Sequence, residues 1–310
     1  MAGSSLDAQP LLILAGPTAS GKTDLALRLA ARGPLEIVSL DSMLVYRGMD
    51  IGTAKPSPAE LATVPHHMID VVSPAERYDV QRFLKAAEVA VGEIHSRGHR
   101  ALFVGGTGFY LAALLRGLFE GPPVDPDLRA SIEQRAKEVG NEALHAELAR
   151  VDPPSSERLH PGDLRRVVRA LEVFYQTGRL LSDWQTEWKA EHKPRLAAAR
   201  LVGLHLETPD LDARIVTRTG AMFDAGWREE ACAIRADPGF GVSAIQALGY
   251  RTVLAWADGE MERSEAEATI ALHTRQFARR QRTWYRKFDI HWLPAGGADL
   301  LHAASAELQL

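Results

Sequence analysis

The chain lacks the residues that several common kinds of site require. Its 310 residues include a single cysteine, Cys232, which excludes an internal disulfide and a zinc cluster built from several cysteines. No apolar run approaches the ~18 residues of a membrane-spanning helix. The apolar run at Leu11–Ala15 is too short for the core of a signal peptide. We therefore expect a cytoplasmic protein without membrane contact.

The chain also lacks an excess of positive charge. Its 36 Lys and Arg residues against 40 Asp and Glu residues give a formal net charge of -4. This balance argues against a protein coated in positive charge, but it permits a basic patch, because net charge averages over all faces. A length of 310 residues is enough for one large domain or for two.

One glycine-rich segment matches a phosphate-binding loop in full. Gly16, Gly21, Lys22 and Thr23 stand at the spacing Gly-x-x-x-x-Gly-Lys-Thr. The glycines let backbone N–H groups turn inward around a phosphate, and a helix that begins near Lys22 adds the positive end of its dipole. Lys22 would neutralise the terminal phosphate, and the Thr23 hydroxyl can reach a magnesium ion. A plain glycine turn is the alternative.

The usual ligand of such a loop, ATP or GTP, finds little support elsewhere in the sequence. The Asn-Lys-x-Asp signature for guanine is missing. So is a run of four apolar residues ending in Asp-Glu, which would supply a magnesium ligand and a base that activates water. Asp70 is a weak substitute, and we expect it to pair locally. A small-molecule or nucleoside kinase nevertheless remains an alternative.

Two further segments are predicted to bring polar groups to the same edge of a sheet. Asp41 follows the predicted strand Glu36–Leu40, at the carboxyl end where open α/β sheets bind ligands. Its carboxylate could take a proton from an incoming nucleophile; a helix cap or turn residue is the alternative. Val104–Leu115 repeats the order strand, glycine loop and helix, which brings Thr107 to that edge. Residues 42–56 are predicted to form a substrate loop.

The alternation of strands and helices predicts an α/β fold with a doubly wound parallel sheet. It stops near Gly121, and the chain from there to Pro194 has a helical pattern. We predict a P-loop catalytic core of residues 1–122 and 196–310, interrupted by a helical insertion domain of residues 123–195. The predicted strands are Leu11–Ala15, Glu36–Leu40, His67–Val72, Ala101–Gly108 and Arg200–Glu207, with a helix at Val80–Ser96.

The last long predicted helix, Ser264–Phe288, carries a stripe of arginines on an acidic chain. Arginines recur along it at spacings of four, three and four, which places them on one face: Arg275, Arg279, Arg282 and Arg286. The opposite face is predicted to be buried, with Ile270, Phe277, Trp284 and Phe288. Because no acidic residue lies between Ala268 and Phe288, we expect an anionic partner, nucleic acid or polyphosphate. A solvated face is the alternative.

Other arginines carry a weaker signal. Those at 165, 166 and 169 form a cluster, but Glu172 stands three residues after Arg169 and can pair with it. Arg214 and Arg218 are four residues apart on a predicted helix. They could reach a phosphate at the sheet edge or pair with nearby acidic residues, Asp210 or Asp212.

Taken in chain order, these motifs resemble those of one family, the bacterial tRNA dimethylallyltransferases. The resemblance covers nearly the whole chain and is carried by "GPTASGKT", "DSMLVYRGMDIGTAKP", "PHHMIDV", "GGTGFYLAAL", "ALGYR" and "RQFARRQRTWYRK". The phosphate loop alone would be unspecific, but its combination with the second and last of these motifs is highly specific. Two positions depart from the family pattern: Leu44 replaces a usual glutamine, and Thr252 replaces a usual acidic residue.

The resemblance implies a donor, an acceptor and catalytic residues. It implies that the loop holds the diphosphate of dimethylallyl diphosphate, with Mg2+ near Thr23, and that the acceptor is N6 of the adenosine just 3′ of a tRNA anticodon. Asp41 matches the general base, and Thr107 matches a threonine that holds the adenosine or the bridging oxygen. The target base would be flipped out of its stack. The implied diphosphate-binding residues are Gly16, Pro17, Thr18, Ala19, Ser20, Gly21, Lys22, Thr23 and Arg214.

The resemblance also implies contacts with the anticodon stem-loop of tRNA. The insertion domain would close over the anticodon loop, and the protein would act as a monomer. A non-catalytic RNA-binding module that kept the fold is a further alternative. The implied tRNA-binding residues are Asp41, Ser42, Met43, Leu44, Arg129, Arg165, Arg166, Arg169, Gly249, Tyr250, Arg251, Arg279, Arg280, Arg282, Trp284 and Arg286.

Overall fold

The computed structural model describes residues 4–118, 121–191 and 198–310, with side chains only up to 187 in the second range. The chain divides into two compact units. One joins Met1–Leu115 with Arg195–Leu310, and the other is Arg116–Pro194. In the part of the chain that the structure describes, no helix has both the length and the apolar character needed to cross a membrane.

The first unit is built on a sheet of six strands. They are β1 (Leu12–Ala15), β2 (Leu35–Ser39), β3 (His66–His67), β4 (Arg100–Gly105), β5 (Arg200–His205) and β6 (His291–Pro294). Their order across the sheet is β3-β2-β4-β1-β5-β6, and every neighbouring pair runs parallel. The predicted α/β fold with a parallel sheet is therefore confirmed.

The sheet departs from the prediction at its two edges. The predicted strand His67–Val72 is wrong, because only His66–His67 pairs with β2 before the backbone turns at Met68 and Asp70. Both of these residues have a positive φ, 65° and 54°, which ends regular strand geometry. Strand β6 was not predicted. It is a short edge strand with mostly exposed side chains, so it lacks the apolar run that marked the central strands.

The helices of the first unit pack against the sheet and against one another. The predicted helix Val80–Ser96 is confirmed, and the side chain of Asp79 caps it by accepting hydrogen bonds from two backbone N–H groups. The helices are α1 (Lys22–Ala30), α2 (Pro58–Thr63), α3 (Val80–Ser96), α4 (Gly108–Arg116), α10 (Thr208–Asp224), α11 (Trp227–Ala236), α12 (Tyr250–Ala257), α13 (Arg263–Tyr285) and α14 (Leu300–Leu308).

The second unit has its own core, and the regular secondary structure of its described residues is helical. Apolar side chains from its first, second and fourth helices meet in that core, among them Ile132, Leu144 and Leu171, each at most 2% exposed. Its helices are α5 (Pro126–Val139), α6 (Asn141–Val151), α7 (Pro153–Arg158), α8 (Leu164–Thr177) and α9 (Leu181–Glu191).

Candidate active site

The phosphate loop links β1 to α1 in a conformation that glycine permits. Gly21 adopts φ of 94° and stands at the N-cap of α1. Gly16 has φ of 156°, and a Cβ added there would lie 2.8 Å from Oγ of Ser20. Both positions therefore favour glycine. The N-terminus of α1, with its unpaired backbone N–H groups, lies at the edge of the sheet where ligands of open α/β sheets bind.

Two cavities lie at this edge, and they share Asp41. The first, of about 390 Å³, is lined by Thr18–Thr23 of the phosphate loop and by Arg214 and Arg218. The second, of about 580 Å³, is lined by Thr107 and by residues of α10, α12 and α13. Thr18, Thr53, Ala54, Arg218 and Phe277 also line both cavities.

Lys22 and Asp41 influence each other electrostatically across the first cavity. Burial lowers the pKa of the Lys22 amine to about 8, although the charge of Asp41 opposes this shift. The Lys22 amine donates a hydrogen bond of 2.8 Å to the carbonyl oxygen of Pro17. Lys22 thus combines proximity to a carboxylate with an amine that loses its proton more readily than an exposed lysine.

The carboxylate of Asp41 is held in place by the backbone that follows it. Its Oδ1 accepts a hydrogen bond of 2.8 Å from the N–H of Met43. Burial raises the pKa of Asp41, while the amides of Met43 and Leu44 and the charge of Lys22 oppose the rise. Asp41 is therefore the turn residue that the sequence analysis kept as an alternative, and its side chain also lines the cavity of the phosphate loop.

Thr107 and Arg218 connect the loops around the two cavities. Oγ1 of Thr107 accepts a hydrogen bond of 3.2 Å from the N–H of Ser42. Arg218 donates a hydrogen bond of 2.6 Å to Oγ1 of Thr18. Within the described residues, neither Arg214 nor Arg218 pairs with Asp210 or Asp212, so the phosphate-facing alternative for these arginines agrees with the geometry.

The structure also brings two residues to the phosphate loop that the sequence analysis missed, Gln281 and Tyr285 of α13. The Gln281 amide accepts a hydrogen bond of 2.8 Å from the N–H of Thr18 and donates one of 2.8 Å to the carbonyl oxygen of Gly106. The Tyr285 hydroxyl donates to the carbonyl oxygen of Gly16 at 2.8 Å. Gln281 and Tyr285 lie at helical spacing from the apolar residues Ile270 and Ala278, so all four fall on the buried face of α13. This spacing is the signal in the sequence that could have identified them.

The buried face of α13 accordingly differs from the predicted one. Ile270 and Phe288 are buried as predicted, at 2% and 8% exposure. Phe277 and Trp284 are only partly buried, so the prediction of a core-facing stripe is wrong for them. The buried positions instead include Thr274, Gln281 and Tyr285. The prediction failed because polar side chains were assigned to the solvent.

The four arginines of α13 do not form one uniform free face. Arg275 approaches Asp212 at 3.7 Å. Arg282 donates hydrogen bonds of 2.5 Å to the carbonyl oxygen of Leu206 and 2.9 Å to Oγ1 of Thr208. Arg275 and Arg282 are therefore engaged within the protein. Arg279 and Arg286 are exposed, and within the described residues neither guanidinium group forms a hydrogen bond or an ion pair.

The other residues of the first unit that were predicted to contact RNA differ in the exposure of their side chains. Ser42, Met43, Gly249, Arg251 and Arg280 line the second cavity, and Leu44 lines the first. Tyr250 is fully buried, and its hydroxyl donates a hydrogen bond of 2.6 Å to Glu230. The side chain of Tyr250 therefore has no surface left for an RNA contact, which corrects its assignment from sequence.

In the helical unit, two of the predicted RNA-binding arginines are engaged inside the protein. Glu172 has no exposed surface, and it accepts hydrogen bonds from Arg129 at 2.5 Å and from the N–H of Asp125 at 2.9 Å. Arg169 lies 3.0 Å from the same carboxylate. This is the pairing with Glu172 that the sequence analysis kept as the alternative to an RNA contact. Burial favours a raised pKa for Glu172, but the bonds from both arginines outweigh it and lower the pKa.

The neighbouring arginines, Arg165 and Arg166, remain at the surface. Arg166 pairs with Asp163 at 3.1 Å while 64% of its side chain stays exposed. A surface ion pair of this kind contributes little, about 0–1 kcal/mol, so it leaves Arg166 available to an anion.

The candidate metal ligands are sparse. Asp70 pairs with Lys55 at 2.5 Å, as expected for a local contact. The part of the chain that the structure describes contains no group of three or more His, Cys, Asp or Glu residues able to hold a metal ion. Thr23 is exposed and lines the first cavity, where Asp41 is the single acidic residue of the described lining.

Comparison with known proteins identifies the family. Residues 44–288 match the model of the IPP transferase family, and residues 9–72 match that of the isopentenyl transferases. The chain is 45% identical over 309 residues to a tRNA dimethylallyltransferase of Methylococcus capsulatus, covering 99% of each.

Solved structures agree with the sequence comparison. The full-length tRNA isopentenylpyrophosphate transferase of Bacillus halodurans superposes with a TM-score of 0.69 at 34% identity, covering 97% of both chains. A eukaryotic dimethylallyltransferase solved in the act of modifying tRNA superposes with a TM-score of 0.78 at 26% identity, covering 97% of this chain and 77% of that one. The chain therefore belongs to the bacterial tRNA dimethylallyltransferases of the IPP transferase family.

Proposed function

We propose that this protein transfers a dimethylallyl group from dimethylallyl diphosphate to N6 of the adenosine 3′-adjacent to the anticodon of tRNA, and releases diphosphate. The observation that carries the proposal is the shared position of Asp41, which lines both the cavity of the phosphate loop and the cavity beside it. A donor in the first and an adenine in the second would meet at this carboxylate.

The first cavity suits a diphosphate. Lys22, Arg214 and Arg218 line it and supply positive charge, and the N-terminus of α1 adds backbone N–H groups. The N–H groups of Gly16 and Thr18 already bind Tyr285 and Gln281, and that of Ser20 binds the carbonyl oxygen of Pro17. We therefore assign the diphosphate to the other amides of the loop, those of Ala19, Gly21, Lys22 and Thr23. Cations and amides fixed there stabilise the charge that grows on the leaving diphosphate.

The same cavity suits a magnesium ion that the donor itself helps to hold. Mg2+ is usually bound through one or two protein oxygens together with phosphate oxygens and water. The Thr23 hydroxyl, at the first turn of α1, would be the protein ligand. When bound, the ion would neutralise part of the charge on the leaving diphosphate.

The second cavity suits the adenine. The bond from N6 to C1 of the dimethylallyl group forms as the bond from C1 to the diphosphate oxygen breaks, and the proton of N6 passes to Asp41. The raised pKa of Asp41 favours this transfer. Thr107 lines the same cavity beside Ser42 and would orient the adenosine.

The tRNA would be held by exposed cations rather than by all the arginines that the sequence singled out. Arg251 and Arg280 line the second cavity, and Arg279 and Arg286 are exposed on α13. In the helical unit, Arg165 and Arg166 are the exposed candidates for the anticodon loop. We further propose that the protein is a monomer that works in the cytoplasm, where tRNA is found.

Incubation of the protein with unmodified tRNA and labelled dimethylallyl diphosphate tests the proposal. We expect label in the RNA at the adenosine next to the anticodon, without a requirement for ATP. Lys22→Ala should nearly abolish the transfer while tRNA binding survives, because Lys22 lines the donor cavity. Absence of label, together with robust ATP turnover stimulated by tRNA, would contradict the proposal and favour the kinase.

A further inference from the structure

We propose that Gln281 is a positioning residue that fixes the separation between the phosphate loop and the glycine loop of residues 105–108. The two ends of its side-chain amide bind one loop each. Oε1 accepts a hydrogen bond of 2.8 Å from the N–H of Thr18, and Nε2 donates one of 2.8 Å to the carbonyl oxygen of Gly106. This inference rests on the proposed function.

The two partners dictate the orientation of the amide. A backbone N–H can only donate and a backbone carbonyl can only accept, so Oε1 must face Thr18 and Nε2 must face Gly106. Gln281 is 4% exposed. Water therefore cannot easily replace either partner, and a buried polar group left unpaired is destabilising.

Gly106 is shaped for this contact. A Cβ added to it would lie 2.2 Å from Nε2 of Gln281 and 3.4 Å from the carbonyl oxygen of Gly16. The first distance is far below van der Waals contact, so a larger residue would push the amide away. The missing side chain at Gly106 is what lets α13 approach both loops at once.

The contacts extend from Gln281 to the reacting groups on both sides. On the donor side, Thr18 also accepts a hydrogen bond from Arg218, which lines the first cavity. On the acceptor side, Gly106 precedes Thr107, whose hydroxyl accepts from the N–H of Ser42, the neighbour of Asp41. The side chain of Gln281 therefore connects the phosphate loop with the glycine loop, and through Thr107 with the segment that carries Asp41.

This placement predicts an effect on the rate of transfer more than on donor binding. Gln281 lines the first cavity, but its two hydrogen bonds go to Thr18 and Gly106, not to Lys22 or to the amides assigned to the diphosphate. The alignment of C1 with N6 depends on the separation that Gln281 fixes. A displacement of about 1 Å between reacting groups costs up to about a hundredfold in rate.

Three variants separate this role from a contribution to folding. Gln281→Met keeps the length of the side chain but loses both hydrogen bonds. Gln281→Glu keeps the acceptor for Thr18 and, when ionised, cannot donate to Gly106. Ala271→Gly is the control, because Ala271 lies on the buried side of α13 and lines neither cavity, and because glycine weakens the helix.

The measurements are the single-turnover rate at saturating substrates, the binding of inorganic diphosphate by calorimetry, and amide hydrogen exchange, each on protein whose fold near-ultraviolet circular dichroism has verified. We expect Gln281→Met to lower the rate at least about tenfold while diphosphate affinity changes less than about threefold. Hydrogen exchange at the Thr18 amide should be faster in Gln281→Met than in the wild type, and it should stay slow in Gln281→Glu. The rate of dimethylallyl transfer should be reduced in Gln281→Glu as well. Ala271→Gly should keep the wild-type rate.

A folded Gln281→Met protein with a rate within about threefold of wild type would overturn the proposal. If Gln281→Met does not fold, a rate of Gln281→Glu within about threefold of wild type would overturn the proposal instead. A wild-type protein that transfers no dimethylallyl group would instead refute the proposed function. In that case, hydrogen exchange at Thr18 would still test whether Gln281 holds the loop.

Discussion

The hydroxyl of Tyr285 donates a hydrogen bond of 2.8 Å to the carbonyl oxygen of Gly16, 269 residues earlier in the chain. The same hydroxyl accepts from the N–H of Gly16 at 3.3 Å. Burial raises the pKa of Tyr285, which therefore keeps its proton and its ability to donate. The last turn of α13 thus anchors the first residue of the phosphate loop, and the helix that carries the exposed Arg279 also supports the donor site.

Tyr285→Phe should weaken both the fold and the donor site. The change removes both hydrogen bonds to Gly16 and leaves a buried carbonyl and N–H without that partner. We expect the free energy of unfolding to fall by about 1–3 kcal/mol and the KM for dimethylallyl diphosphate to rise. Denaturant titration and steady-state kinetics measure these effects. Tyr175→Phe, which removes an exposed hydroxyl bonded to Glu147, is the control. Wild-type stability and KM in Tyr285→Phe would refute the anchoring role.

The arginines of α13 should separate into two groups. Replacing Arg279 and Arg286 with glutamine should weaken tRNA binding and make it less dependent on salt, by about 0.7–0.9 in the slope for each phosphate that is no longer neutralised. Arg282→Gln should instead lower the free energy of unfolding, because Arg282 binds Leu206 and Thr208. Binding of tRNA titrated at several salt concentrations measures the first effect. Unchanged affinity of the double variant at low salt would mean that this face is only solvated.

The rate should depend on pH through Asp41 and Lys22. As a base, Asp41 must be deprotonated, so kcat/KM should fall at low pH with a midpoint above the ordinary aspartate pKa, since burial raises it. As a cation, Lys22 must be protonated, so kcat/KM should fall again above about pH 8, the value to which burial lowers its pKa. Lys22→Arg should move the alkaline limb upward. A kcat/KM without an alkaline limb in the wild type would contradict this role of Lys22.

The sequence predicted those parts of the site in which the chemistry depends on neighbours along the chain. The phosphate loop is a strand, a turn and a helix in one stretch, so Gly16–Thr23 could be assigned from spacing alone. Asp41 follows a predicted strand, and Thr107 lies in the glycine loop of the second strand, loop and helix pattern, Val104–Leu115. Because the carboxyl ends of parallel strands meet at one edge of a sheet, their convergence with the phosphate loop followed from the fold.

Contacts between distant segments could not be predicted in this way. Gln281 reaches a loop 175 residues away at Gly106, and no local spacing encodes such a partner. Arg282 was assigned to RNA from its place in the arginine stripe, but its partner is a backbone carbonyl, which carries no sequence signal. Arg129 and Glu172 are 43 residues apart, so only the packing of α5 against α8 reveals their ion pair.

The most direct test of the account is the single-turnover rate of Asp41→Asn with both substrates saturating. The variant keeps the shape of the side chain, including an oxygen that can accept from the N–H of Met43, but it cannot take the proton of N6. We expect the rate to fall by about a hundredfold or more, with tRNA and donor still bound. A decrease of less than about threefold would remove Asp41 from the catalytic role and leave it as an orienting residue.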